Sequence, residues 1–569
     1  MSDQNQTEEE FVVTMQTVKG KVNYKKLIEQ FGTEELNEDL LIRFQNATGK
    51  DLHPWLKRGI FFSHRDFGNF LTAYENGEPV FLYTGRGPSS ESMHIGHLIP
   101  FMFTKWLQDA FDCPLVIQLS DEEKYAFKKG TFQELYKMGF ENAKDIVSCG
   151  FNPEKTFIFS NRDYRIAVPQ YETFVSDLKV NASIKEVSKV FGFNEDGNVG
   201  MYDWPFYQSA ASFSQAFPHI FKGRPAYCLI PCAIDQDPYF RLGRDLATKM
   251  NLLKTTCIYC TFLPPLTGLD GGKMSSSVGK EATLYLNDEE KVIEKKINKF
   301  SKSGSRGNGS LEDHKKLGGD VENDIACQYL KYFEFDDQIL NSLYDGFSKG
   351  EISCSEMKKK LAEKLIPIFK QVTEKRNTIT KDELMEFYKI KDIVLPKPKE
   401  KEKTEDQKII EDVLIKQNID FCLTYHNPVV SESDYQEIRS RLEGVLCKVA
   451  LVYEQEKYFL IVNHIDTIFN QDKLKPLAKK LGLKKLSYAK IDTLKALLKC
   501  ESIFDASIFG LINDQERKIV EIWLDSRISD QEKVNFTPLR KDAKLTITFD
   551  GMIKFIKELN YDVKVINFE

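Results

Sequence analysis

The sequence predicts an α/β protein: a doubly wound, Rossmann-like parallel sheet, then an all-α domain, then a separate mixed α+β domain. Three observations carry this. Short apolar runs alternate with helix-like stretches over about residues 66–288. Strand-like text then stops, and Lys/Glu/Leu-rich text with 3.6-residue spacing fills 289–394, as in EMKKKLAEKLIPIFK at Glu356–Lys370. A Pro-containing run of alternating charge, LPKPKEKEKTEDQK at Leu395–Lys408, then precedes a stretch, 409–569, in which strands and helices mix.

Pro79–Thr84 (PVFLYT) reads as a buried strand, and Pro114–Leu119 (PLVIQL), Thr156–Phe159 and Tyr227–Pro231 repeat the pattern. His97–Phe111 and Asp237–Met250 have helical spacing. Strands alternating with helices imply a parallel sheet. Residues 1–65 read as an N-terminal extension and 395–408 as an exposed, extended linker. Beyond it, Val449–Tyr453, Tyr458–Val462 and Ile519–Trp523 read as strands. A chain of 569 residues with no internal repeat fits two or three domains.

Composition narrows the class. With 41% hydrophobic and 29% charged residues most of the chain should fold. No apolar run approaches the ~20 residues of a membrane span, and the polar, acidic start MSDQNQTEEE lacks the marks of a leader. A cytoplasmic place is expected. Eleven scattered cysteines fit reduced, buried thiols. Cys228-x3-Cys232 and Cys257-x2-Cys260 have spacing a zinc site could use, but apolar and β-branched neighbours without turn glycines favour strand cysteines, and no metal is assigned to them. The net charge of -6 does not suggest nucleic acid, yet a local basic surface is compatible with it.

Two motifs carry chemistry. His94-Ile95-Gly96-His97 follows the first core strand behind the loop GRGPSSESM, and Lys273-Met274-Ser275-Ser276-Ser277 follows Gly271-Gly272 far downstream. Gly85, Gly87 and Gly96 allow close backbone approach to a nucleotide. Two imidazoles at a helix start suit a polyphosphate, and a Gly-flanked lysine with adjacent hydroxyls can close over departing pyrophosphate. Alone, the histidine pair could be a metal pair or a satisfied helix start, and KMSSS a phosphorylatable loop. Both together, in this order after strands, point to ATP.

These are the two signatures of class I aminoacyl-tRNA synthetases. The strings RGIFFSHRD, YTGRGPSSESMHIGHLIPF, KWLQDAF, PCAIDQDPYFR and GGKMSSS resemble the tryptophanyl branch of eukaryotic cytoplasm over about residues 11–392. The resemblance implies ATP with Mg2+, formation of tryptophanyl-adenylate from L-tryptophan, transfer to tRNA(Trp), and a homodimer. It implies catalytic roles for His94, His97, Lys273, Ser275 and Ser277, and ATP contacts from Gly85, Gly87, Gly96 and Met274. Tyr83 and Gln118 match the residues that read the indole N–H, Glu123 and Gln236 those around the substrate ammonium, and Asp336 and Asp337 the anticodon-reading stretch in YLKYFEFDD. By themselves, Glu123 reads as a helix-start carboxylate and the two aspartates as a solvated helix end. Val13 stands where the family usually has Trp before Thr14-Met15-Gln16-Thr17, and Thr267 where it often has Gln.

Residues 409–569 resemble YbaK-type prolyl-tRNA-editing deacylases, through Cys447-Lys448-Val449-Ala450-Leu451, LKPLAKKLGLKKLSYAKIDTLKALL and Phe509-Gly510-Leu511-Ile512-Asn513-Asp514. Lys448 matches that family's central lysine. Phe504 and Ile508 replace its loop Gly and Pro, and Thr537 and Lys541 its His and Asn. Nine lysines and a single acid, Asp492, fall between 473 and 499. That pattern fits a non-catalytic tRNA-binding role, with an active deacylase as the alternative and a solvated helix face as the bland reading. For the whole chain the alternatives are a tyrosyl-tRNA synthetase, and a synthetase-like RNA-binding protein without activity.

Overall fold

A computed structural model describes residues 11–14, 18–20, 22–127, 130–268, 273–274, 279–395, 403–426, 434–439, 442–467 and 470–568. Ser275, Ser277, Gly271, Gly272, the run Met15–Thr17 and linker residues 396–402 lie outside them. The chain divides into two compact units that part between Lys397 and Pro398.

The first unit is built on seven strands: β1 Glu34–Glu35, β2 Phe61–Arg65, β3 Val80–Arg86, β4 Leu115–Leu119, β5 Thr156–Ser160, β6 Tyr227–Ala233 and β7 Thr256–Cys260. Their order is β1-β2-β7-β6-β3-β4-β5. The five from β7 to β5 run parallel, while β2 and β1 add on antiparallel. Every residue of β4, β5 and β7 is buried, as expected for strands covered on both faces. Strand order reverses about β3, which is flanked by β6 and β4. At such a switch point the crevice beyond the strands' carboxyl ends is open to a ligand.

The sheet takes in two strands from before residue 66, so residues 34–65 belong to the catalytic layer as well as to an extension. Arg65 fixes the added edge. Its guanidinium pairs with buried Asp237 at 2.7 Å, and Tyr259 donates to the same carboxylate at 2.6 Å. Cys228, Cys232, Cys257 and Cys260 lie on β6 and β7. Among the described residues no group of three or more His, Cys, Asp or Glu is arranged to hold a metal.

The helices that matter to the site are α1 Ile95–Phe111, α2 Asp121–Phe127, α3 Phe132–Val147, α4 Val199–Ala210 and α5 Asp237–Met250. From residue 289 onward the described elements of this unit are helices, among them α6 Ile325–Phe333, α7 Asp337–Ser348 and α8 Cys354–Thr378. Ser353 and Glu356 form a capping box at the start of α8, whose inner face buries Met357, Leu361, Leu365 and Phe369.

The second unit opens with α9 Glu405–Lys416, capped by Thr404. The stretch read as extended to Lys408 is therefore helical from Glu405, because Ile410 and Leu414 face a core. Its strands are β8 Phe421–Tyr425, β9 Val445–Glu454, β10 Lys457–His464, β11 Ser487–Tyr488, β12 Ile519–Asp525, β13 Lys533–Phe536, β14 Ala543–Thr548 and β15 Asp562–Ile566. They pair in the order β8-β14-β13-β9-β10-β12-β15, with β11 on β9. Helices α10 Gln471–Lys480 and α11 Ile491–Leu498 bury Leu474, Leu477, Leu494 and Leu498. No helix among the described residues is long and apolar enough to cross a membrane.

Candidate active site

A cavity of about 730 Å³ opens at the switch point, and Tyr83, Gln118, His94, His97 and Lys273 are among the residues that line it. Gly85, Gly87, Gly96, Glu123, Gln236 and Met274 line it too. The structure thus brings these sequence-predicted residues to one place from five parts of the chain.

The phosphate-like end is built from a loop and a helix start. His94 is the N-cap of α1 and His97 lies one turn in. Their rings stack with centroids 3.4 Å apart. The segment they stand on is a short ladder: the Ile95 N–H donates to Leu284 O at 3.0 Å and the Leu286 N–H to Met93 O at 2.9 Å. A Cβ on Gly96 would come within 3.2 Å of the His94 ring, and one on Gly87 would overlap Lys124 Cε at 2.2 Å. A side chain at 87 would have to displace the flexible end of Lys124, and one at 96 would press on the His94 ring.

Burial and the nearby cations Arg86 and Lys273 lower the His94 pKa to about 3. Burial, Arg86 and His94 itself push His97 well below its ordinary value. Both rings are neutral at physiological pH. Arg86, from the end of β3, donates to Asn142 Oδ1 at 2.9 Å and lies 3.2 Å from His97 Nε2. The His94 N–H approaches His97 Nδ1 at 3.4 Å on the ring's other side, and a neutral imidazole can accept at one of the two nitrogens only. The buried His94 Nδ1 has no hydrogen-bond partner among the described residues. Lys273 pairs with buried Asp235, and Met274 is fixed by its N–H donating to Leu263 O at 2.8 Å.

The other end is aromatic and closely hydrogen-bonded. The Tyr83 hydroxyl donates to Gln118 Oε1 at 2.7 Å, and Gln118 Nε2 donates to Asn161 Oδ1 at 3.0 Å and Tyr207 O at 3.3 Å. Tyr83 sits in the middle of β3, not at its end, and Gln118 lies opposite Gly85 on β4. Between the two ends, Glu123 accepts from Ser120 Oγ at 2.8 Å and pairs with Lys124 at 2.9 Å. Gln236 accepts from Gln208 at 3.3 Å, and Gln208 accepts from the Trp204 ring N–H at 3.1 Å. The sequence reading passed over Gln208, Arg86, Asn142 and Asp235. The only signal for them was polar residues within otherwise apolar elements or motif strings.

Asp336, Asp337, Lys448 and Thr267 are not among the residues lining this cavity. Asp336 caps α7, accepting from the Gln338 and Ile339 N–H groups at 2.8 and 3.1 Å. Asp337 is half-exposed and pairs with Arg58 at 2.6 Å. Lys448 lies on β9 of the second unit, opposite Asn463.

Comparison with known proteins agrees with this geometry. The family described as tRNA synthetases class I (W and Y) matches residues 75–370. The chain is 44% identical to the cytoplasmic tryptophan–tRNA ligase of Oryctolagus cuniculus over 378 residues, 66% of this chain and 78% of that protein. It is 45% identical to that of Saccharomyces cerevisiae over 394 residues, covering 67% and 89% of the two chains. Among solved structures, the tryptophanyl-tRNA synthetase from Encephalitozoon cuniculi bound to tryptophan superposes with a TM-score of 0.60 at 41% identity, covering 66% of this chain and 99% of that one. That of Plasmodium falciparum gives 0.60 at 40% identity, covering 65% and 95%. The matched stretch contains the whole cavity, and the chain belongs to the tryptophanyl-tRNA synthetases of class I.

Proposed function

We propose that the chain activates L-tryptophan with ATP and transfers it to tRNA(Trp). The observation that carries this is a single cavity lined by a polar pair for an indole and by a histidine-lysine cluster for phosphates. Adenylate formation is an in-line displacement by a carboxylate already ionised at neutral pH, so no general base is needed. The tryptophan carboxylate attacks the α-phosphorus, its C–O–P bond forms, and pyrophosphate leaves with the electron pair.

In this reading Tyr83 and Gln118 receive the indole N–H, and Glu123 and Gln236 flank the ammonium. His94 and His97, being neutral, act as hydrogen-bonding groups toward phosphate oxygens, and the orphaned His94 Nδ1 marks one such contact. Gly85, Gly87, Gly96 and Met274 border the nucleotide. Lys273 would leave Asp235 for the β- and γ-phosphates, with Ser275 and Ser277 beside it. Class I synthetases use ATP with Mg2+. The described residues offer no three-group metal cage here, so phosphate oxygens and water would supply most of the metal's ligands. Asp336 and Asp337 would meet anticodon bases through the carboxylate edges left by the α7 cap and Arg58.

The relatives are named cytoplasmic, which supports that location for this chain. A homodimer is supported by Ile166, Val180, Ile184 and Val199, exposed aliphatics that fall within one stretch of the first unit. In the second unit we assign a tRNA-holding role to the lysines between 473 and 499, all exposed except Lys473. The likeness to editing deacylases and the part of Lys448 remain proposals of sequence pattern. Thr537 donates to Asp505 O at 2.8 Å, and Phe504 packs near Tyr435.

Exchange of pyrophosphate into ATP should depend on tryptophan and not on tyrosine. Exchange with tyrosine alone would refute the assignment, and exchange with neither would favour the non-enzymatic alternative. Gln118→Ala should raise the KM for tryptophan and weaken discrimination against phenylalanine, because the indole N–H loses its acceptor. Unchanged discrimination would place indole reading elsewhere.

Lys273→Ala should slow adenylate formation roughly 10²-fold or more while tryptophan binding changes little, because its charge serves the transition state. A variant with normal exchange would remove Lys273 from the mechanism.

The neutral imidazoles also set an acid limit on stability. His94 has a folded pKa of about 3, lowered by burial, against an unfolded value of about 6.5. Below about pH 6.5 the unfolded chain takes up a proton that the folded chain refuses. Stability is therefore complete above that pH and falls as pH drops toward 3. His53 and His219, each lowered to about 4 by burial, act in the same direction. The denaturant midpoint of the first unit should fall from pH 7 to pH 5, and fall less in His94→Asn. Equal falls would contradict the buried neutral ring.

Deleting residues 396–569 should leave tRNA-independent exchange nearly intact, weaken tRNA binding and flatten its salt dependence. An unchanged salt slope would reduce the lysines to a solvated face. Fast hydrolysis of mischarged tRNA(Pro) by the second unit, abolished by Lys448→Ala, would restore the deacylase alternative.

A further inference from the structure

The last turns of α8 reach the histidine-bearing segment by two routes. Arg376 Nε donates to Asp145 Oδ1 at 2.7 Å, and the other oxygen of Asp145 accepts from the Met93 N–H at 2.9 Å. Thr373 Oγ1 donates to Leu286 O at 2.9 Å, and the Leu286 N–H donates to Met93 O at 2.9 Å. Thr373 and Arg376 are three residues apart, so they share one helix face. Both routes converge on Met93, the residue before His94.

Asp145 is the critical link. It sits on α3 with its side chain fully buried, and burial raises its pKa while the Met93 N–H and Arg376 oppose the rise. An ionised carboxylate without a partner is costly in such a place. Arg376 lets Asp145 stay ionised, and an ionised acceptor makes a shorter, stronger bond to the Met93 N–H than a neutral one. Arg376 also binds Glu141 at 2.6 Å, on the half-exposed side. Nearer the start of α8, Lys364 pairs with Glu334 at 2.6 Å, which holds the helix against the end of α6.

We infer that Arg376 and Thr373, residues of the helical region with no place in the cavity lining, are positioning residues for tryptophan activation. They fix the backbone of Met93–Ile95 and thereby the two stacked imidazoles. The inference rests on the reading that His94 and His97 meet ATP. It separates the two ends of the cavity: the indole end stands on β3 and β4 and does not depend on α8, whereas the phosphate end does. Loss of either contact should therefore act on kcat and on the KM for ATP, with the KM for tryptophan unchanged.

The test is tryptophan-dependent pyrophosphate exchange by the full chain. Arg376→Ala should lower kcat roughly tenfold or more, as a small misplacement of catalytic groups does, with the KM for tryptophan within about twofold of the parent. Arg376→Lys, which keeps the charge, should recover part of the rate. Thr373→Val, which keeps the shape, should lose less than Arg376→Ala but in the same parameters. Glu141→Gln should leave all of them unchanged. In an Asp145→Asn background, Arg376→Ala should add less than about a twofold effect, because the charge it served is gone.

An unchanged kcat in Arg376→Ala would overturn the inference. So would equal losses in both Asp145 backgrounds, or a tryptophan KM that rises in step with the fall in kcat, as general loosening would produce. Should Arg376→Ala fail to fold, Arg376→Lys and Thr373→Val decide by the same criteria. A parent chain without tryptophan-dependent exchange would instead refute the functional reading on which the inference rests.

Discussion

The hydrogen bond from the Tyr83 hydroxyl to Gln118 Oε1 sets the chemistry of the cavity's closed end. Both side chains are buried, so neither can turn to water. The Gln118 amide nitrogen is committed to two acceptors, Asn161 Oδ1 and Tyr207 O, which orients the amide with its oxygen toward Tyr83. What remains on offer is acceptor capacity: a second lone pair on Gln118 Oε1 and those on the Tyr83 oxygen. A ring with an N–H satisfies it. A phenyl ring of similar polarity leaves it unmet, and the cost of an unmet buried acceptor is the basis of rejection. A phenol could also donate, so tyrosine must be refused by shape.

At the open end the constraint is the opposite sign of the same rule. The rings of His94 and His97 are uncharged, while Arg86, Lys124 and Lys273 bring cations around them. Arg86 is itself so enclosed that burial lowers its pKa to about 10. Lys273 and Lys124 are paired with Asp235 and Glu123, so a polyanion entering the cavity would have to compete with those carboxylates for their charge. The net charge of -6 describes the whole surface and says nothing about this pocket. Neutral histidines have a further consequence. They can approach phosphate oxygens without trapping a proton, so they add directional hydrogen bonds where the cations add field.

How much of this was legible in the sequence depended on whether a residue's role was local. The central strands and the helix Asp237–Met250 follow from periodicity alone, because continuous apolar runs have few other places to go. The antiparallel edge was not legible. Phe61–Arg65 interleaves buried Ser63 and His64 with aromatics, and only pairing with β7 makes it a strand. In the site, His94, His97 and Lys273 announced themselves as motifs. Arg86, Asn142, Asp145 and Gln208 did not, because on one dimension a polar residue at a strand end or in a helix looks like a surface residue. Asp336 shows the reverse limit. Its ordinary reading as a solvated helix end missed that it caps the start of α7, accepting from two backbone N–H groups.

The second unit illustrates how burial can dispose of polar groups that might otherwise do chemistry. Leu451, Leu460, Val462, Ile522, Phe509, Phe536 and Phe555 form a core on one face of the mixed sheet, and Val452, Phe459, Ile461 and Trp523 form a second on the other. Next to the first core, the Thr537 hydroxyl is spent on Asp505 O, and the Asp505 carboxylate accepts from the Glu501 and Ser502 N–H groups at 2.8 and 2.6 Å. The Thr537 hydroxyl and the Asp505 carboxylate are thereby engaged in holding a loop. The lysines of α10, α11 and their connection face outward instead, anchored by Leu474, Leu477, Leu494 and Leu498 beneath them. Leu474 and Leu477 pack into one core cluster and Leu494 and Leu498 into the other, so the lysines of α10 and α11 stand over opposite faces of the sheet, their aliphatic stems covering it and their ammonium heads exposed.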